Sequence, residues 1–141
     1  MDEAEYRELE SYYNDKMGIF SRLLADGLAA RLVLSSDAGC FDAEFGKPYF
    51  GLLLAIQAGM TAEQALRAMT TVAAHACGIS TMVGSIEEGK KADLLVVDGN
   101  PLEDISSINR VRAVFIGGRL VAPLTSLDLS FQRQPEPAPV Q

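Results

Sequence analysis

Gly84-Ser85-Ile86-Glu87-Glu88-Gly89-Lys90-Lys91-Ala92-Asp93-Leu94-Leu95-Val96-Val97-Asp98-Gly99-Asn100-Pro101-Leu102-Glu103-Asp104 is the stretch on which the fold reading turns. Its opening, up to Lys90, is rich in turn formers. Ala92 to Asp98 then reads as a strand, because four consecutive branched aliphatic residues suit a pleated surface and Gly99-Asn100-Pro101 stops the run. Two more apolar runs follow, Val111 to Ile116 and Arg119 to Val121. They are joined across Gly117-Gly118, a pair that accepts the positive φ angles of a tight hairpin. The carboxy-terminal third is therefore a small β module.

Upstream of Gly84 the period changes from two to that of a helix. Thr61 to Cys77 is the best-marked helix: Thr61 and Gln64 form a capping-box pattern, and Gly78 supplies the stop. Ala65, Leu66, Met69, Val72, Ala73 and Ala76 are expected to form its apolar face. Tyr49 to Ala58 reads as a short apolar helix closed by Gly59. Before it, Arg31-Leu32-Val33-Leu34-Ser35 suits a strand buried on both faces, ending in the turn Ser36-Asp37-Ala38-Gly39. From Glu3 to about Asp26, Tyr6, Leu9, Tyr13, Phe20, Leu23 and Leu24 recur at helical spacing, with Gly27 as the stop. The order is helix, strand, two helices and a β segment, which is an α/β class. From Pro123 the pattern fades into a tail with a Pro-rich stretch at 135–139, expected to be disordered. There is no internal repeat.

Composition bounds the function classes. The 141 residues are 48% hydrophobic and carry a net charge of −7. A mean hydropathy of +0.12 fits a globular protein. An acidic chain without a Lys/Arg run offers no footprint for nucleic acid or an anionic membrane surface. The longest apolar stretch, near Tyr49 to Ile56, is far shorter than the ~18 residues of a membrane span. Cys40 and Cys77 do not make a disulfide framework, and the acidic amino terminus has no apolar signal region. A soluble cytoplasmic protein is expected.

Three stretches in this order resemble the end of the amidohydrolase superfamily, in its imidazolonepropionase-like branch. They are Leu32-Val33-Leu34-Ser35-Ser36-Asp37-Ala38-Gly39, the helix from Ala58 through Thr70 to Gly78, and the stretch from Gly84 to Asp104 quoted above. The last is the most specific. One departure is Ser35, where the family commonly has glycine before its Ser/Thr-Asp pair. The resemblance, over roughly residues 18–121, implies the C-terminal part of a (β/α)8 TIM barrel, with its last strand and flanking helices. It also implies part of a small composite β-sandwich built from both ends of a full chain. Residues 1–80 would be the end of the barrel, 81–122 the sandwich strands and 123–141 the tail. Members bind one or two divalent metals, usually zinc, at the C-terminal face of the barrel and hydrolyse C–N bonds of small-molecule amides with metal-activated water. Their ligands are histidines, often a carboxylated lysine, and an aspartate at the end of the eighth strand. Only the aspartate carries over, onto Asp37, which would be both metal ligand and catalytic acid/base.

The remaining ligands have no counterpart. His75 is the only histidine in the chain, so no H-x-H pair exists. Its place between Ala74 and Ala76 in the capped helix points to a surface or packing role. Cys40 and Cys77 read as small buried residues. Gly39, Gly46 and Gly51 read as backbone accommodation, since their spacing is not that of a phosphate loop. Glu87-Glu88 and Lys90-Lys91 read as a solvated turn. A complete barrel takes about 250 residues. The expectation is a C-terminal amidohydrolase fragment that binds no metal and is not catalytically competent alone. The alternatives are a non-enzymatic α/β interaction module and one half of a split hydrolase needing an N-terminal partner chain. Self-association is expected through the unpaired edges of residues 32–34 and the apolar Leu52-Leu53-Leu54 face.

Overall fold

The computed structural model describes residues 2–36, 38 and 49–123. Four helices, α1 (Glu3–Ala25), α2 (Tyr49–Gln57), α3 (Ala62–Met69) and α4 (Thr71–Ala76), precede three strands, β1 (Leu94–Val97), β2 (Val111–Ile116) and β3 (Arg119–Pro123). Short 3-10 turns lie at Ala29–Arg31 and Ile105–Asn109.

Helix ends follow local chemistry. At the start of α1 the Asp2 carboxylate accepts from the backbone N–H groups of Ala4 and Glu5, while the Glu5 carboxylate accepts from the Asp2 N–H. Thr61 and Gln64 make the same reciprocal pair at α3, as the sequence predicts. At the end of α1, Leu28 N–H donates to the Leu23 carbonyl and Gly27 N–H to that of Leu24. That Schellman pairing needs a left-handed residue, and Gly27 has a φ of +77°.

The core is small and helical. Leu52 and Ala55 of α2 pack with Met60 and with Ala65 and Ala68 of α3; Phe20, Leu24, Leu32, Leu34, Ile105 and Ile108 close around them. Residues three apart share a helix face, so the alanine pair lets α3 approach α2 closely. Leu52 is fully buried. Leu53 and Leu54 beside it are half-buried. Helix α1 reaches the core only by its end: Phe20 and Leu24 pack there, and Ser21 Oγ donates to the Ala58 carbonyl at 3.0 Å.

The expected single helix from Thr61 to Cys77 is two helices, broken at Thr70 with φ −122° and ψ −90°. The Thr70 hydroxyl donates to the Leu66 carbonyl, and the Thr70 N–H reaches back only three residues, to Arg67. Side-chain hydroxyls competing for helix carbonyls are what the pair Thr70-Thr71 brings. The break shifts the buried face: Ala68 and Ala74 are buried, whereas Ala76 is exposed. The 78–84 loop crosses at this break, and a Cβ on Gly84 would stand 2.6 Å from that of Ala74.

The three strands form one antiparallel sheet in the order β1-β2-β3. Leu94 pairs with Phe115, and Phe115 with Leu120, which places three large apolar residues in a row. The Gly117-Gly118 turn has φ angles of +56° and +78°, as expected of the hairpin. Asp93 and Ala92 hold its tip: the Gly117 N–H donates to the Asp93 carboxylate at 2.7 Å and the Gly118 N–H to the Ala92 carbonyl at 2.9 Å.

Candidate active-site segment

Asp37, the candidate catalytic residue and metal ligand, lies outside the described residues, as do Gly39, Cys40 and Gly46. The segment leading to Asp37 is described. Leu32 is extended, Leu32 to Ser36 form no ladder, and Arg31 belongs to a 3-10 turn. The expected strand, buried on both faces, is corrected to an unpaired segment with one side against the core. Leu32 and Leu34 pack on the core, whereas Val33 between them is 44% exposed. Alternation of this kind buries one face of an extended chain and leaves the other open.

What fixes the segment is the helix break. The last carbonyls of a helix lack partners within it. In α3 one of them, on Ala68, accepts the Leu34 N–H at 3.3 Å. Beyond it, the Ser36 hydroxyl accepts from the Ala38 N–H at 3.3 Å. The capped helix and its break together therefore set where the segment before Asp37 runs.

The other candidates are not brought to it. His75 is exposed on α4, in keeping with a surface role. Cys77 is an exposed free thiol, which corrects the buried reading. It lies past the last turn of α4, where the Thr70 break has moved the buried face elsewhere. Among the described residues no group of three His, Cys, Asp or Glu side chains could hold a metal ion. One histidine pointing to solvent does not fit the donor set that a divalent metal requires, so the described residues do not make a metal centre.

Two polar clusters escape a reading by motif. Lys90 is only 15% exposed, and its ammonium donates to Ser85 Oγ and to the Glu87 carboxylate. The Ser85 hydroxyl and Lys90 hold the Glu87 carboxyl below its ordinary pKa. This turn is a cross-linked corner, not a merely solvated one. In the second, Arg110 donates from Nη2 to Asp104 at 3.1 Å and to the fully buried Ser107 at 2.7 Å, and from Nε to the Asp98 carbonyl at 3.0 Å. The Ser106 hydroxyl, its backbone N–H and Arg110 hold the Asp104 carboxyl below its usual range. The spacing Asp104-x-Ser106 was the available signal, since Asp caps the N–H two residues on. Every hydrogen bond in these clusters joins parts of the β module to one another, which makes them braces for it.

The amidohydrolase family model matches residues 6–121. The chain belongs to the amidohydrolase family. It is 33% identical over 103 residues to an imidazolonepropionase of Geobacillus kaustophilus, covering 71% of this chain and 24% of that protein. To an imidazolonepropionase of Porphyromonas gingivalis it is 35% identical over 104 residues, with the same 71% of this chain and 24% of the relative. Among solved structures, a putative prolidase from Bifidobacterium longum aligns with a TM-score of 0.67 at 31% identity, over 74% of this chain and 26% of that one. A molinate hydrolase aligns at 0.68 and 28% identity, over 86% and 30%. The amidohydrolase chain thus spans about a quarter of the length of the curated imidazolonepropionases. Enzymes of this family are generally metal-dependent. Among the described residues no helix is long and apolar enough to cross a membrane.

Proposed function

We propose that this chain is the C-terminal segment of a metal-dependent hydrolase acting on carbon–nitrogen bonds of small-molecule amides, inactive alone and working in the cytoplasm. Residues 1–80 would close a (β/α)8 barrel and residues 81–122 would contribute strands to a composite β-sandwich, leaving 123–141 as a disordered tail. Asp37 would be the acid/base carboxylate and a ligand of a divalent metal, with zinc the expected ion in the complete enzyme. No nucleic acid or membrane partner belongs to this reading. The observation that supports it most is the family match across residues 6–121, which includes the segment pinned to Ala68 and position 37 after it.

A further reading is that of a split hydrolase, in which a carboxylate here would work with histidines carried by a partner chain. Co-expression with a histidine-bearing barrel segment is the test, read as hydrolysis of a panel of cyclic and linear amides. Asp37→Asn in the assembled pair should lower turnover by roughly 10²–10⁴, the loss expected of a general acid–base group, with folding unchanged. His75→Ala and Cys77→Ser should cost far less. A fully active Asp37→Asn pair would refute the assignment.

A further inference from the structure

In an unbroken helix the Leu66 carbonyl would take the N–H of Thr70, and the Ala68 carbonyl that of Val72. At the break the Thr70 N–H goes to Arg67 instead, at 3.1 Å, and the hydroxyl of the same residue replaces it on Leu66, at 2.8 Å. One residue thus takes a donor from the Leu66 carbonyl and returns another. Two positions on, the Ala68 carbonyl takes the Leu34 N–H at 3.3 Å.

A helix carbonyl without a donor costs free energy unless something refills it, so the hydroxyl lowers the cost of keeping the helix broken. The loop from residue 78 meets the same place. A Cβ on Gly84 would stand 3.1 Å from the Thr70 carbonyl oxygen and 3.3 Å from the Thr71 Cα. The loop supplies packing at the break, and the hydroxyl supplies a bond. Thr71 does not repeat the arrangement, since its hydroxyl reaches the Arg67 carbonyl only at 3.5 Å.

We propose that Thr70 is a positioning residue for the segment that leads to Asp37. Its hydroxyl holds the break that leaves the Ala68 carbonyl to Leu34, and through that bond it sets the course of residues 32–36. The placement is a property of this chain alone, while its catalytic consequence rests on the hydrolase reading. Thr70 itself is exposed and acts only through the backbone of its neighbours.

Nuclear magnetic resonance on the isotope-labelled full chain tests the placement, because the shift of a bonded amide proton depends less on temperature than that of a free one. Leu34 should show the shallow dependence of a bonded amide in the wild type, in Thr70→Ser and in Thr71→Val. It should show the steep dependence of a free amide in Thr70→Val and Thr70→Ala. Valine keeps the branched shape at an exposed position, and far-ultraviolet circular dichroism checks that every variant folds. A shallow dependence in both Thr70→Val and Thr70→Ala overturns the proposal and leaves the break to the loop at Gly84, as does a steep one in the wild type. In the pair assembled with a histidine-bearing barrel segment, Thr70→Val should lower kcat roughly 10- to 100-fold with KM little changed, and Thr70→Ser should retain it. Equal turnover by wild type and Thr70→Val overturns the catalytic role. A wild-type pair that hydrolyses nothing counts against the hydrolase reading, and the Leu34 amide then decides the placement alone.

Discussion

Gly84 and Gly89 separate two reasons for a glycine. Both have positive φ, +96° and +85°, but only at Gly84 would a Cβ collide, with Ala74 at 2.6 Å and the Thr70 carbonyl at 3.1 Å. Gly84→Ala should therefore cost roughly 1–3 kcal/mol, the range for an over-determined strained residue, and Gly89→Ala measurably less in parallel urea titrations. Asp104 carries a pH prediction. Its folded pKa is depressed by Ser106 and Arg110. The stabilisation it gives is thus complete above the ordinary carboxylate value of ~3.9 and lost as pH falls through the lower folded one. Amides of residues 105–110 should lose exchange protection in that acid window, and Asp104→Asn should remove the dependence. A wild-type profile flat to the lowest pH would contradict it.

Elements were legible where chemistry is local. Thr61 and Gln64 announce a capping box from sequence alone, and the structure makes it. Thr61→Ala should cost about 1 kcal/mol by thermal melting, since the Gln64 N–H loses its acceptor. Gly117-Gly118 announces the hairpin in the same way. The break at Thr70 was less legible: Thr is ordinary in a helix, and what favours the kink is a loop arriving from residues 78–84 and a carbonyl bonded from Leu34. Both are tertiary facts with no period in the sequence. The strand at residues 31–35 failed for a related reason. Its apolar run is what a barrel strand needs, yet a strand exists only with neighbours to bond, and these described residues supply none.

At the scale of the molecule, family membership was readable from three spaced motifs, while of the candidate site the sequence offered only Asp37, with one histidine in the whole chain to set beside it. After dialysis the purified chain should hold no stoichiometric zinc by elemental analysis. About one zinc per chain, lost on Asp37→Ala, would show that the donor argument is wrong. The bond from Leu34 to Ala68 has a consequence of another kind. A proton held by a carbonyl of a different element leaves for deuterium only when the two part. Exchange at the Leu34 amide is therefore a clock for the lifting of residues 32–36 away from the helix break. Binding of a complementing chain that supplies strand neighbours should slow it, and the same single proton would register that assembly before any substrate is known.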